Sequence, residues 1–270
     1  PSTATVIKDD LSKSTLDYED KDITPGKTYY YWIKAWNNWG WSDFSDAASG
    51  NTGSVSDLVS AYEPFKYETG SDIDKQNGGT GFISEWALKQ TNGAIAVVPE
   101  GLSYPGLPVA GGAIKFTSNI DKPSSHLVRS LKGHLGHDMS IVWVSFLIKS
   151  EKVADGHFYL SLNDKFGGCS VGKKWGNGFG LQGRSSTKLE NGKTYFAVAR
   201  IDCRSGNDVA YLWVNPSLEK EPLLETATDT YNKDEIGFGN TIGIGGQGYG
   251  RGVYICDEIR IGSSWDEVTK

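Results

Sequence analysis

The chain has 270 residues, enough for two ordinary domains or for one large β-sandwich with a small companion. Its net charge of -6 disfavours nucleic acid as a partner, because neutralising phosphates requires a basic surface. No stretch approaches the roughly 20 consecutive apolar residues of a membrane-spanning helix. The 34 glycines and 9 tryptophans favour short strands joined by many turns, so we expect an all-β protein.

The first predicted element is a strand in "TYYYWIKAW", residues 28 to 36, which follows a turn at Pro25 and Gly26. Successive side chains of a strand point to opposite faces. The face that we expect in a core carries Tyr29, Tyr31, Ile33 and Ala35, and the other carries Tyr30, Trp32, Lys34 and Trp36. We expect the aromatic rings of the second face to pack on the neighbouring domain.

This stretch resembles the end of a fibronectin type III domain, in which a Pro-Gly turn and a tyrosine precede an alternating strand. The residues that carry the resemblance are Pro25, Gly26, Tyr29, Ala35, Asn37, Gly40 and Ser42. A complete domain of this kind needs about 90 to 100 residues. The resemblance therefore implies that residues 1–53 hold only its C-terminal strands, and that an upstream domain of a longer protein is a partner.

A small, polar segment, "SGNTGSVSD", marks the predicted domain boundary, so that the second domain spans residues 54–270. Many short β-type runs follow it, from "AYEPFKY" and "TGFISEW" to "TYFAVARID" and "VYICDEIRIG". Turn-rich segments such as "KQNGGTG" and "ENGK" separate the runs. No helix longer than two turns is predicted, and the pattern favours a two-sheet jelly roll.

The second domain resembles the laminin-G or concanavalin-like sandwiches of large secreted bacterial proteins. The resemblance rests on "YEPFKY", "NGGTGF", "TYFAVARID", "LWVNP" and "DEIRIGSSW". It implies an all-β fold in which a partial fibronectin type III-like β-sandwich precedes a concanavalin-like two-sheet jelly roll. It also implies a secreted or cell-surface location.

No catalytic residue is predicted. Glycan-cleaving enzymes that share this fold resemble one another in an E-x-D-x-x-E strand, and this spacing does not occur here. The string "GCSVG" fits a serine hydrolase motif, but no helix follows it. The string "GIGGQG" fits a dinucleotide motif but lies between β-type runs, so we interpret it as a turn. Catalysis by an unfamiliar route stays open.

A structural calcium ion is implied by the resemblance. In similar sandwiches an aspartate at the start of the final strand and an oxygen donor near the first strand join the chain ends through one cation. The matching residues are Asp257 and Glu63, and backbone carbonyls would complete the six to eight oxygen ligands that calcium accepts. The alternative is that both carboxylates cap turns or face solvent.

Two glycine-rich loops are the predicted ligand-binding sites, because a glycan needs an aromatic face with polar groups around it. The first, "GKKWGNGFGLQGR", supplies Lys173, Lys174, Trp175, Asn177, Gln182 and Arg184. The second, "GQGYGRG", supplies Tyr249 and Arg251. Their basic residues favour an anionic polysaccharide as partner. The alternative for the first loop is a glycine-rich turn with one ring tucked into the core.

The cysteines, Cys169, Cys203 and Cys256, show no CxxC spacing, so we expect buried free thiols and no zinc site.

The function that these patterns favour is a non-catalytic carbohydrate-binding accessory region of a secreted bacterial polysaccharide-active enzyme. Two alternatives stay open. One is a structural or adhesive module of a cell-surface protein, and the other is part of a glycoside hydrolase or lyase with an unrecognised site.

Overall fold

The structure is a computed structural model that divides into two compact units, Pro1–Ser54 and Val55–Lys270. It describes residues 4–270 except 16, 19, 21–22, 24–26, 52–59, 91–92, 119–123, 138, 154–156, 164–168, 174–177, 183–186, 205, 235–238 and 248–251. The predicted boundary between the domains lies outside the described residues. Within the described part of the chain, no helix has the length and apolar character needed to cross a membrane.

The first unit contains two small antiparallel pairs of strands. Strand β1 (Thr28–Tyr31) pairs with β4 (Ala48–Asn51), and β2 (Trp36–Asn37) pairs with β3 (Gly40–Trp41). Alternation is confirmed within β1, whose tyrosines 29 and 31 are half-buried.

The predicted first strand is wrong beyond Tyr31, where β1 ends. Ile33 is 74% exposed and does not lie in a core. The backbone amides of Ile33 and Ala35 instead bond to serine hydroxyls, those of Ser45 and Ser42, each at 3.0 Å. Serine side chains thus satisfy amides that a continuous ladder of strand pairing would otherwise satisfy.

The second unit is a sandwich of two antiparallel sheets. The strands of the larger sheet are β5 (Ala61–Glu63), β7 (Gly93–Val98), β8 (Ala113–Ser118), β10 (Ile141–Lys152), β15 (Thr194–Asp202), β16 (Asn207–Val214), β17 (Asp229–Asp234) and β19 (Val253–Gly262). Their order across the sheet is β17, β16, β15, β10, β19, β8 and β7, and β5 also pairs with β19.

The smaller sheet contains seven strands in the part of the chain that the structure describes. They are β6 (Ala87–Gln90), β9 (Ser124–Ser130), β11 (His157–Leu162), β12 (Ser170–Lys173), β13 (Gly178–Leu181), β14 (Thr187–Lys188) and β18 (Thr241–Gln247). Their order is β14, β13, β12, β11, β18, β9 and β6, which places β11 and β18 in the middle of the sheet.

The main hydrophobic core lies between the two sheets. Alternate residues of β10, such as Val144 and Phe146, belong to the same buried cluster as Phe158 and Leu160 of β11. Strand β10 reads as an almost continuous apolar run because its second face is also buried. That second face contributes Trp143 to a separate buried cluster.

This separate cluster covers the outer face of the larger sheet. It includes Trp143, Phe196 and Trp213, together with Trp265 from the C-terminal helix α1 (Trp265–Thr269). The rings of Trp143 and Trp213 stack with their centroids 5.8 Å apart. The outer face of the larger sheet is therefore closed by aromatic packing.

The prediction of an all-β protein with a two-sheet sandwich is confirmed. The segment "TGFISEW" was predicted as a strand but forms only isolated bridges, in which Thr80 meets Tyr62 and Phe82 meets Leu131. The interpretation of "GIGGQG" as a turn is wrong, because Gly243 to Gln247 lie within β18. Side chains of the neighbouring strands β9 and β11 fill the space above Gly243 and Gly245.

Candidate ligand-binding face of the smaller sheet

The outer face of the smaller sheet carries the strongest candidate site. Because Phe158 and Leu160 of β11 point into the core, the alternate residues Tyr159 and Ser161 lie on the opposite side. We call this surface the Tyr159 face, and define it by Tyr159, His126, Ser161, Ser170 and Gln182 above Gly172, Gly243 and Gly245. Strand pairing brings these residues together from four strands and the end of β13.

Tyr159 lies in a slot that only glycines can form. A Cβ on Gly245 would lie 2.6 Å from the Tyr159 hydroxyl oxygen and 2.7 Å from its Cζ. A Cβ on Gly172, across the other neighbouring strand, would lie 2.7 Å from the Cβ of Tyr159. Real Cβ atoms do not approach neighbours this closely, so the missing side chains let the ring lie across the sheet.

His126 and Ser161 meet above a third glycine. The His126 Nε2 and the Ser161 Oγ both lie 2.7 Å from the point that a Cβ on Gly243 would occupy. The Ser161 hydroxyl donates a hydrogen bond to the Gly243 carbonyl at 3.3 Å. The imidazole and the Tyr159 ring are 6.4 Å apart between centroids and inclined by 48°. An aromatic ring, an imidazole and a hydroxyl thus share one small area.

Gln182 extends this polar area from the end of β13. Its backbone N–H donates to the Ser170 carbonyl at 2.8 Å, and the Ser170 hydroxyl donates to the Gln182 side-chain Oε1 at 3.1 Å. Ser170 is the cross-strand partner of Ser161. The Ser170–Gln182 pair therefore lies next to the pair formed by Ser161 and His126. Gln182 reaches its position through a left-handed backbone with φ of 50°, a conformation uncommon outside glycine.

The Tyr159 face combines partial exposure with hydrogen-bonding capacity. Tyr159, His126 and Gln182 are half-buried, whereas the two serines are almost fully buried and fixed by their strands. Rigid strand positions, rather than loops, hold the ring and the polar groups. Such an arrangement can accept a ring-shaped ligand that offers one apolar face and several hydroxyls.

The structure places the predicted binding residues in different environments. Gln182 does lie on the Tyr159 face. Lys173 is fully buried and is the cross-strand partner of the core residue Phe158, so it is not accessible to a polysaccharide. The remaining predicted residues, Lys174, Trp175, Asn177, Arg184, Tyr249 and Arg251, lie outside the described residues.

Glu63 forms a buried ion pair with Arg129 of β9. Its Oε2 also accepts hydrogen bonds from the Tyr67 hydroxyl at 2.7 Å and from the Trp86 indole at 2.9 Å, and its Oε1 accepts from the Phe65 amide at 2.9 Å. These donors occupy both carboxylate oxygens. Glu63 therefore does not fit the predicted role of a calcium ligand, because a cation would have to displace the arginine.

Asp257 lies in a different environment, to which oxygen atoms contribute. A Cβ on Gly101 would lie 3.1 Å from the Asp257 Oδ2, 3.1 Å from the Gly111 carbonyl oxygen and 3.6 Å from that of Gly112. Burial raises the pKa of the Asp257 carboxyl to about 8, although the backbone amides of Leu102 and Glu258 donate to its two oxygens, each at 2.7 Å. Unlike Glu63, Asp257 forms no ion pair with any residue that the structure describes. These oxygens fit calcium, which accepts carboxylates and carbonyls together.

The two predicted calcium ligands are not brought together by the fold. Glu63 bonds to residues of the inner core, whereas Asp257 accepts a hydrogen bond from Leu102 of the outer cluster. Among the described residues, no three histidine, cysteine, aspartate or glutamate side chains form a group that could hold a metal. The calcium ion stays a prediction, and the hydrogen bonds of Glu63 do not fit the role assigned to it.

Sequence reasoning missed Tyr159, His126 and Ser161. The alternation in "HFYLSL" was a usable signal, since it placed a tyrosine and a serine on the face opposite Phe158 and Leu160. His126 carried no comparable signal, because its position above Gly243 depends on pairing between strands that are distant in sequence.

No protein-family model matches the chain, and no curated protein matches it. Among solved structures, the binding domain of Botulinum Neurotoxin DC in complex with SialylT is 15% identical, with a TM-score of 0.43 and coverage of 80% of this chain and 51% of that one. A glycosyl hydrolase family 16 protein from Mycobacterium smegmatis is 11% identical, with a TM-score of 0.41, and the match covers 74% of this chain and 98% of that one. An endo-1,3-beta-glucanase from Streptomyces sioyaensis is 9% identical, with a TM-score of 0.40 and coverage of 75% and 95%. The chain spans about half the length of the botulinum neurotoxin binding domains that it matches.

Proposed function

We propose that Val55–Lys270 is a carbohydrate-binding module and that its ligand lies on the Tyr159 face. The observation that supports this most directly is the Tyr159 ring, half-buried above Gly245 and flanked by the His126 imidazole and the Ser161 hydroxyl. The apolar face of a pyranose packs on an aromatic ring, and its hydroxyls pair with the polar groups around that ring. The glycines let the ring and these polar groups lie across the sheet.

The experiment is titration of the full chain with a panel of soluble polysaccharides, read by affinity gel electrophoresis. Tyr159→Ala is expected to abolish the retardation that the parent shows. Tyr211→Ala is the matched control, because Tyr211 is also half-buried on a strand but belongs to the larger sheet. Equal retardation of the parent and the Tyr159→Ala variant would refute the site. An absence of retardation on every polysaccharide would refute the function.

We propose further that Asp257 binds a structural calcium ion. Support comes from the carbonyl oxygens of Gly111 and Gly112, which approach the same point as the carboxylate. Calcium would offset the cost of burying this carboxylate. It would hold the 101–112 segment on β19 and would have no part in ligand chemistry.

The accessory role is also a proposal. The fibronectin type III-like motif at residues 25–42 supports a spacer that links the module to an upstream domain of a secreted polysaccharide-active enzyme. Incubation of this chain with the bound polysaccharide is expected to release no new reducing ends or unsaturated products. Their appearance would instead favour an enzyme with an unrecognised site.

A further inference from the structure

The smaller sheet differs in charge from the rest of the chain. Its seven strands, as the structure describes them, contain neither aspartate nor glutamate, although the whole chain carries 33 acidic residues and a net charge of -6. The larger sheet includes acidic side chains in several strands, among them Asp202, Asp208 and Glu258. The ionisable side chains within the strands of the smaller sheet are lysines, arginine, histidines and tyrosine.

Two exposed lysines flank the Tyr159 face in the strand register. Lys89 lies at a register shift in β6, between the residues that pair with Leu127 and with His126. Lys188 lies in β14 at the other edge of the sheet, paired with Gly178 of β13. Both lysines are exposed, in contrast to the buried Arg129 and Lys173 of the same sheet. Exposed positive charge thus lies at both ends of the row of strands that carries Tyr159.

Two carboxylates from the larger sheet reach the smaller one, and the first is that of Glu63, which pairs with the buried Arg129. The Asp229 side chain of β17 accepts a hydrogen bond from the Leu181 amide at 2.8 Å. The Leu181 side chain points into the core, and the Asp229 carboxylate bonds to the backbone amide of Leu181 in β13. This contact therefore does not place a carboxylate beside His126, which lies in β9. A further carboxylate, that of Asp74, accepts a hydrogen bond from the Leu88 amide at 2.8 Å, beside Lys89. Within the strands of the smaller sheet, as the structure describes them, the charged side chains are nevertheless all basic.

We infer that the Tyr159 face selects an acidic glycan, whose carboxylate or sulfate groups pair with Lys89 and His126 on one side and with Lys188 on the other. This inference rests on the proposed carbohydrate-binding function and narrows it to one ligand class. Neutral sugars can contact the Tyr159 ring and the polar groups around it, but they offer the lysines no negative charge. A glycan that crosses the strands of the sheet can place one acidic sugar near Lys89 and another near Lys188.

The test compares acidic polymers with neutral ones of matched backbone. Titration of the full chain with polygalacturonate and dextran sulfate is compared with fully methyl-esterified polygalacturonate and dextran. We expect the acidic member of at least one pair to bind about tenfold more tightly at low salt, and the difference to shrink as salt rises. Lys89→Gln together with Lys188→Gln is expected to remove most of this preference.

The matched control is Lys220→Gln together with Lys233→Gln, which makes the same charge change at exposed positions outside the smaller sheet. An equal loss in the control would overturn the inference, because net charge alone would then explain the preference. Equal binding of acidic and neutral polymers would overturn it too, while leaving the carbohydrate-binding function in place. An absence of binding to all four polymers would refute both. Circular dichroism of each variant establishes that it is folded.

Discussion

Arg129 and Glu63 form an ion pair between the two sheets, with side chains only 1% and 0% exposed. Arg129 belongs to β9 of the smaller sheet and Glu63 to β5 of the larger one. The guanidinium also donates to the Asn77 side chain and the Gly78 carbonyl, each at 2.8 Å, and lies 4.0 Å from the centroid of the Phe82 ring. The pair therefore joins the sheets to the 77–82 segment.

Arg129→Met is expected to lower the free energy of unfolding by about 3 to 5 kcal/mol, because it leaves the Glu63 carboxylate buried without its counter-charge. Urea denaturation followed by tryptophan fluorescence measures the loss. Lys115→Met is the control, since it breaks an ion pair with Glu151 that is more than one third exposed on both sides. This control is expected to cost about 1 kcal/mol or less. Similar losses in the two variants would contradict the structural role of the buried pair.

Gly245→Ala is expected to weaken glycan binding by about tenfold or more, because the new Cβ would displace the Tyr159 ring from the sheet. Affinity gel electrophoresis with the polysaccharide that the parent binds measures the change. Gly206→Ala is the matched control, since nothing lies within 4 Å of a Cβ at that position. If Gly245→Ala bound as the parent does, the Tyr159 ring would not be the platform.

Stability is expected to fall as pH rises from about 4 to about 8 in the absence of calcium. Burial raises the pKa of Asp257 from 3.8 to about 8 in the folded state, so the folded protein holds an extra proton throughout this window. The free energy of unfolding then decreases by at most about 1.4 kcal/mol per pH unit from this group. Urea titrations at several pH values measure the slope, and Asp257→Asn is expected to flatten it. An equally steep slope in the variant would assign the effect to other groups.

Millimolar calcium is expected to raise the melting temperature at pH 8, because at this pH the buried Asp257 carboxyl is partly ionised and the cation would stabilise its charged form. Differential scanning fluorimetry with calcium or with a chelator measures the shift. The shift is expected to vanish in Asp257→Asn and to persist in Glu225→Gln, which removes an exposed carboxylate. No shift in the parent protein would exclude the proposed ion.

The thiols are expected to resist modification in the folded protein. Cys169, Cys203 and Cys256 are buried thiols that form no disulfide, which confirms the prediction, and burial raises the pKa of Cys169 to about 12. Thiolate is the reactive form, so an aromatic disulfide reagent at pH 8 should react only after denaturant is added. Rapid labelling of the native protein would contradict this packing.

The amino-acid sequence by itself determined the class of fold and many of the strands. Alternation in "HFYLSL" and the long apolar run of β10 depend on side chains a few residues apart, and local periodicity reports how each strand is buried. The serines at 42 and 45 show the limit of this information. Their bonds to the backbone of residues 33 and 35 ended a strand that periodicity alone would have extended.

Only the tertiary structure decided which residues form the candidate site. Pairing between β9 and β18 places His126 above Gly243, and pairing between β11 and β18 places Tyr159 above Gly245. It also buries Lys173 and joins Glu63 to an arginine 66 positions away. Sequence patterns cannot specify these neighbours, because a two-residue period shows that the faces of a strand differ but not which distant strand lies beside it.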